Sequence, residues 1–293
     1  MLQVAGIVFP IFMIVLAGFL YGRVHKPDMR FANQLNMDIF VPALVFSALA
    51  SKSFDLLTYW PLALGALGVV LLSGVLALPV ARWLKIAPAT FIPPMMFTNS
   101  GNMGLPLALL AFGEQAMPAA IVLFMVENTL HYSLGTWLLD KNTALHQLWR
   151  VPVIGASIAG LAVSLSSLSL WPPLLFSVKL LGDVSIPLLL FSLGVRLTQS
   201  ALVNLKLATI GAVLCPLSGV LVAWPLAQLL DLSAQHAAML LIFGALPPAV
   251  LNFVFAEKYA QEPVTVASIV MVGNLGSLLF IPAVLYFTLN RAG

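Results

Sequence analysis

Two asparagines and two glycines crowd around one proline in Thr98-Asn99-Ser100-Gly101-Asn102-Met103-Gly104-Leu105-Pro106, inside an otherwise apolar stretch. Asparagine offers neutral donors and acceptors, glycine lets backbone approach a ligand, and proline removes a backbone donor and disrupts the preceding turn. A second group of breakers, Leu246-Pro247-Pro248-Ala249, is followed by Asn252. Irregular chain at membrane depth is tolerated only where it is buried in protein or lines a cavity. Each cluster therefore marks an interrupted membrane helix, a feature of secondary transporters. On this reading one half-helix begins after Gly104 with Pro106 near its first position, and Pro247 and Pro248 begin another. The free N–H groups and partial positive charge of such ends attract an anion without a formal cation. Asn99, Gly101, Asn102, Gly104, Pro106, Pro247, Pro248 and Asn252 are the candidate substrate-binding residues. A small organic carboxylate suits them, whereas a bare metal cation does not. No cofactor and no metal site are expected.

Glu127 and His131 lie four residues apart in another apolar segment and share a helical face. A carboxyl group at membrane depth suggests function by default, and histidine exchanges protons near neutral pH. The pair is a candidate for proton coupling, set against a purely structural polar contact. Asn128 and Asn274 read equally as helix–helix glue or as pocket walls. Asp38, Asp183 and Arg196 fall near the ends of apolar segments, where snorkelling or loop solvation accounts for them. Cys215, the single cysteine, sits in an apolar run and reads as packing.

The elements that must position these groups are membrane helices. Of 293 residues, 61% are hydrophobic and 8% charged, with a mean hydropathy of +1.05. A soluble domain carries about 25% charged residues, so lipid is the expected solvent. Segments of about 20 apolar residues occur ten times, over 3–22, 33–51, 58–82, 89–112, 117–139, 151–168, 183–199, 204–229, 236–258 and 264–289. The first lacks a basic leader and a small-residue cleavage site, and reads as a retained span. One side carries Arg23, Lys26, Arg30, Arg82, Lys85, Lys141, Arg150, Arg196, Lys206 and Lys258; the other carries Lys52, Lys179 and Arg291. The basic side is cytoplasmic by the positive-inside rule, which turns both termini outward. Pro10, Pro61, Pro79, Pro216, Pro225 and Pro282 read as simple kinks. The basic pI comes from scattered loop residues, and nothing suggests nucleic acid.

Pro42-Ala43-Leu44-Val45-Phe46-Ser47 recurs as Pro187-Leu188-Leu189-Leu190-Phe191-Ser192, displaced by 145 residues (187 − 42). The displacement maps the second span onto the seventh, as two units of five spans require. An odd number of spans per unit inverts the second copy in the membrane. The broken fourth and ninth spans then also correspond. Aligning Pro106 with Pro247 gives a displacement of 141, and aligning it with Asn252 gives 146; both registers stay open. The expected architecture is an all-α membrane protein forming one transmembrane domain, 1–293. It has ten helices in two inverted five-helix repeats, 1–139 and 151–293.

Thr98 to Leu107, Phe191-Ser192-Leu193-Gly194, Ala245-Leu246-Pro247-Pro248 and Phe253-Val254-Phe255-Ala256-Glu257-Lys258-Tyr259 resemble, in that order, segments of the auxin efflux carrier family. That family includes bacterial dicarboxylate (malonate-type) carriers and plant PIN-type auxin exporters. The resemblance implies crossing broken helices four and nine, a scaffold and a moving transport domain, elevator-like alternating access, and often a homodimer. It carries Asn99 over as the asparagine of the first crossover. Asn252 falls where plant-type members have the second crossover proline. About a dozen residues join spans five and six, so the long cytoplasmic loop of many plant members is missing and a compact prokaryotic form in the bacterial inner membrane is expected.

The function expected is transport of small organic anions, with membrane lipid as the surrounding partner. The rivals are a sodium-coupled organic acid or bile-acid-type symporter, a channel, and a non-transporting sensor. The sequence lacks the zinc, serine-hydrolase and phosphate-loop motifs, so no enzyme activity is expected.

Overall fold

The computed structural model describes residues 2–50, 56–142, 150–166, 170–198 and 203–292. These residues are almost wholly helical, and their one β-type pairing is an isolated bridge between Thr98 and Pro248. Lys52, counted above on the outer side, lies outside the described residues, as do the ends of the expected spans 33–51, 151–168 and 183–199.

Five helical segments are long and apolar enough to cross a membrane unaided: Val4–His25, Thr58–Leu84, Pro172–Arg196, Leu205–Leu229 and Pro263–Leu289. They belong to α1 (Leu2–His25), α4 (Leu56–Leu84), the pair α10 (Pro172–Asp183) and α11 (Ser185–Arg196), α12 (Leu205–Leu229) and α15 (Pro263–Ala292). The other apolar segments form shorter or composite helices. α2 (Arg30–Leu35) runs through a π-helical turn, Asn36–Phe40, into α3 (Val41–Leu49). α7 (Met117–Leu130) runs through a second, His131–Gly135, into α8 (Thr136–Leu139), and α9 (Pro152–Leu165) stands alone.

Two segments are interrupted. The first is α5 (Pro88–Met96), a break, a π-helical turn at Ser100–Gly104, and α6 (Leu105–Phe112). The second is α13 (Ala234–Gly244), a break, and α14 (Val250–Lys258).

The stretch before residue 183, expected as a loop, is helical from Pro172 onward. Lys179 made it look like a solvated connection. In the structure the Lys179 ammonium pairs with Asp183 at 3.1 Å and with Glu114 at 3.4 Å, so the helix carries its charges as pairs.

Packing divides the helices into two sets. α1 packs on α11, and α3 packs on α9 and α10. Separately, α4 packs on α5 and α7, and α12 on α13, α15 and α4. Small residues allow the closest crossings. A Cβ on Gly194 would lie 2.0 Å from the Val15 carbonyl oxygen, and one on Gly18 would lie 2.1 Å from that of Phe191. α1 and α11 therefore touch backbone to backbone, as small residues permit between membrane helices. The apolar core runs through both sets, from Ile11 and Val45 to Ile121, Met239 and Leu285.

Candidate functional site

The two breaks meet. Phe97, Thr98 and Asn99 run antiparallel to Pro247, Pro248 and Ala249, joined through the isolated Thr98–Pro248 bridge. The Asn99 N–H donates to the Pro247 carbonyl at 2.7 Å, and the Ala249 N–H donates to the Phe97 carbonyl at 2.9 Å. Both breaks thereby satisfy part of the backbone they free, as burial in a dry environment demands.

Where each half-helix begins differs from the sequence expectation. The first starts at Ser100, with Asn99 as its cap residue, six residues before Pro106. The N–H groups of Met103 and Gly104 both donate to the Asn99 carbonyl, at 3.0 and 3.1 Å. A wide turn there suits the proline ring that follows, which would press on the carbonyl of Asn102 in a regular α-helix. The second starts at Val250, so Pro247 and Pro248 lie in the extended break and not at a helix start. A residue preceding proline avoids the α-region, which holds Leu246 and Pro247 out of the helix. Matched start to start, the displacement is 150 (250 − 100), neither 141 nor 146, and it places Asn102 opposite Asn252.

Side chains complete the crossing. Glu127 is buried and accepts from Thr98 twice, from its N–H and, at 3.1 Å, from its hydroxyl. Asn274 does the reverse, donating to the Pro248 carbonyl at 3.1 Å and to the Val270 carbonyl at 2.8 Å. The difference follows from the bridged pair. Thr98 has an N–H that needs an acceptor, whereas Pro248 has none and exposes only a carbonyl that needs a donor. Glu127 and Asn274 are 147 apart (274 − 127), close to the 150 that separates Thr98 from Pro248. An acid and an amide thus hold matching places because the backbone they serve has opposite polarity. Asn99 joins this network, its amide donating to the Asn274 side-chain oxygen at 2.7 Å. Asn252 donates to the Phe97 carbonyl at 2.9 Å and to the Ala249 carbonyl at 3.0 Å.

Beside the crossing lies a cavity of about 320 Å³ between the two packing sets. Of the sequence candidates, Asn99, Gly101, Asn102, Glu127 and His131 line it; Gly104, Pro106, Pro247, Pro248 and Asn252 do not. Gly104 instead lets the half-helix approach the other break, since a Cβ there would lie 2.9 Å from Leu246 and 3.0 Å from Phe243. His131 stacks on Phe97, with ring centres 4.1 Å apart, and meets Phe255 edge-on at 5.1 Å. Asn252 is its near polar neighbour, although neither the His131 Nε2 nor the Asn252 Oδ1 completes a hydrogen bond.

The sequence reading left Asn128 open between helix glue and pocket wall and did not place Ser192 or Arg196 at this site; all three line the cavity. The Asn128 Nδ2, the Ser192 hydroxyl and the Arg196 Nη1 are buried without a hydrogen-bond partner among the described residues. Ser47, which the repeated motif equates with Ser192, instead donates to the Leu44 carbonyl of its own helix at 3.0 Å. The usable signal was spacing: Leu189, Ser192, Leu193 and Arg196 follow a helical period and face the cavity together.

Comparison with known proteins bears on this arrangement. A family model described as "Membrane transport protein" matches residues 4–148 and 136–285. The "Putative malonate transporter" of Rhizobium meliloti is 25% identical over 318 aligned residues, covering 100% of this chain and 98% of that protein. An uncharacterized transporter of Methanocaldococcus jannaschii is 22% identical, covering 94% of this chain and 96% of the relative. The "Auxin efflux carrier component 6" of Arabidopsis thaliana is 29% identical over 186 residues, 61% of this chain and 30% of the plant protein.

Proposed function

The chain belongs to the membrane transport protein family that also matches the auxin efflux carrier resemblance, and from that premise we propose that it is a carrier of small organic anions. It is an integral membrane protein related to transporters. The cargo class is our reading, and one observation carries it. The lining of the cavity beside the helix crossing includes buried polar groups with no hydrogen-bond partner among the described residues, and most of them are donors. They are the Asn128 Nδ2, the His131 Nε2, the Ser192 hydroxyl and the Arg196 Nη1, in a cavity that the first turn of a half-helix also lines. An unsatisfied buried donor costs about 1–3 kcal/mol, which an accepting carboxylate offsets. The name of the Rhizobium meliloti relative, a malonate transporter, agrees with that class.

In this proposal the substrate touches Gly101 and Asn102 at the half-helix tip. Asn99, Asn252, Pro247 and Pro248 hold the crossing in place, and Gly104 and Pro106 shape the half-helix behind the tip. Glu127 couples transport to a proton, with His131 beside it.

The architecture we propose has ten spans, 1–139 and 151–293 being inverted repeats. Support comes from packing that exchanges under the mapping of one half onto the other: α1 on α11 answers α9 on α3, and α4 on α7 answers α12 on α15. The two packing sets on either side of the cavity suit an elevator motion, with α1, α3, α9, α10 and α11 as the scaffold. Insertion in a bacterial inner membrane with both termini outside, and assembly as a homodimer, complete the reading.

A thermal-shift screen of the purified protein against carboxylates tests the cargo class. A ligand at 100 times its Kd stabilises the native state by about 2.7 kcal/mol. Saturable uptake of the same acid into proteoliposomes, indifferent to Na⁺, would set aside the channel and the sodium symporter. Stabilisation by neutral or cationic solutes alone would refute the organic-anion reading.

A further inference from the structure

From the crossing, the cavity lining runs to Asn33, Gln34, Tyr132, Arg196 and Val254, and Gln34 at that end is exposed. These residues lie toward the helix ends that Arg30, Lys141 and Lys258 assign to the cytoplasm. No residue of α10 or α13 lines the cavity, and α6 contributes only Leu105. On the outer side the two packing sets are tied instead. Lys179 of α10 reaches Glu114, in the turn that leads into α7, at 3.4 Å, and also holds Asp183 at 3.1 Å. Of the three ion pairs among the described residues, Lys179–Glu114 is the one that joins the two sets.

The repeat gives each of these groups a counterpart on the cytoplasmic side. Asp183 stands four residues before Pro187 as Asp38 stands four before Pro42, so the displacement of 145 relates them (183 − 38). Lys179 falls on Gln34 (179 − 145), and Glu114 falls on Lys258 at a displacement of 144 (258 − 114). The polarity reverses. Outside, α10 supplies the cation and the turn into α7 the carboxylate. Inside, the turn between α2 and α3 supplies Asp38, and the end of α14 supplies Lys258. Both are exposed, and neither makes an ion pair among the described residues. The Lys258 ammonium lies over the Tyr259 ring, 5.2 Å from its centre. Asp38 already acts electrostatically on Tyr132 of the other set, and Glu257, beside Lys258, acts on Arg196.

We infer that Asp38 and Lys258 form the ion pair that closes the cytoplasmic side in the opposite transport state, once Lys179 and Glu114 have parted. Two inverted repeats give alternating access when they exchange conformations, so a contact made by one repeat is remade by its counterparts in the other. The reversal of charge at both members keeps each pair complementary.

This inference rests on the carrier reading with inverted repeats and is tested apart from it. Cysteine pairs are placed in a Cys215→Ala background, which removes the single native thiol, and treated with a short bifunctional maleimide in proteoliposomes. Lys179→Cys with Glu114→Cys should crosslink in the state of this structure, and Asp38→Cys with Lys258→Cys in the other; either crosslink should stop uptake. Adding Glu114→Gln to the second pair removes the outer contact and should raise its crosslinking rate about 1.5- to 5-fold, the range of exposed ion pairs. Without any cysteine, Lys258→Asp sets two carboxylates together and should slow uptake by a similar factor of about 1.5 to 5. Asp38→Lys added to it should restore the rate, a rescue that proximity alone does not give.

Failure of the Asp38–Lys258 positions to crosslink where Lys179–Glu114 does, a rate unmoved by Glu114→Gln, or no rescue by the double reversal overturns the exchange and leaves the carrier standing. Both crosslinks formed in a protein that takes up no organic anion overturn the carrier reading and leave the exchange standing.

Discussion

Exchanging acid and amide at two matched positions should have opposite consequences, because the backbone polarity they serve is opposite. Glu127 accepts from the Thr98 N–H and hydroxyl. In Glu127→Gln the remaining oxygen still accepts from the N–H. The new amide N–H donates to the Thr98 hydroxyl, which turns its proton to the Phe243 carbonyl, already 3.4 Å away. The Ser100 hydroxyl, which also bonds Glu127, can turn to the remaining oxygen, so no backbone group is orphaned and the cost should stay below about 1 kcal/mol. In Asn274→Asp the bond from Asn99 survives, but an oxygen now faces the Pro248 and Val270 carbonyls at 3.1 and 2.8 Å. Pro248 loses its side-chain donor, and either a charge is buried against two carbonyl dipoles or a single proton must serve both.

The cost at Asn274 should be about 2–4 kcal/mol. The difference between the variants, roughly 2 kcal/mol, is a factor of about 30 in a folding equilibrium. Glu127→Leu calibrates the scale, because it strands the Thr98 N–H at about 1–3 kcal/mol. Unfolding in detergent micelles, followed by the fluorescence of the six tryptophans, measures all three. Asn274→Asp no less stable than Glu127→Gln would refute the polarity argument, as would Glu127→Gln damaged as badly as Glu127→Leu.

Asn99→Ala removes the donor to Asn274 and should lower uptake at least about 10-fold at unchanged insertion; wild-type flux at matched expression would remove Asn99 from the site. Glu127→Gln should flatten the pH profile of uptake, and an unaltered profile would restrict Glu127 to holding Thr98. Gly194→Ala drives a methyl group to 2.0 Å from the Val15 carbonyl and should cost about 3 kcal/mol or more, read as lost folded yield. Gly155→Ala, which meets nothing within 4 Å, is its neutral control. Asn128→Leu should raise the unfolding midpoint of the empty protein while weakening carboxylate binding, and a lowered midpoint would mean that its amide has a partner.

Both breaks were legible because few residues explain themselves inside lipid. Asn99, Gly101, Asn102 and Gly104 had no apolar role, and Pro247-Pro248 forbade a continuous helix. The starting points of the half-helices were not legible. Proline is tolerated at a first helical position, so Pro106 looked like a start; a π-helical turn beginning at Ser100 absorbed it instead. The helix from Pro172 was hidden by Lys179, whose charge read as solvent exposure until Asp183 and Glu114 appeared beside it. Arg196 was misplaced for the converse reason. An arginine at the end of an apolar segment ordinarily reaches water, and only the packing of α11 against the crossing turns it toward the cavity. Its spacing from Ser192 was visible, but a helical period does not say which face is buried.

The polar groups in the middle of this protein divide by what satisfies them. Those at the crossing are largely spent on one another: Glu127 on Thr98, Asn99 on Asn274, Asn274 on Pro248, and the Asn252 Nδ2 on Phe97, with only the Asn252 Oδ1 left over. Those on the cavity wall, Asn128, Ser192 and Arg196, each keep an atom unspent. Low surrounding polarity makes both conditions matter, since it strengthens a made bond and penalises a missing one. A crossing left half-satisfied would collapse into other pairings, and a cavity fully satisfied by protein would gain nothing from a ligand. Substitutions in the first group should therefore cost stability, and those in the second should cost affinity. Asn99 tests where the line falls, because it lines the cavity while its amide is bound to the crossing. Its loss should register in both measurements, and a residue that registers in only one belongs wholly to that side.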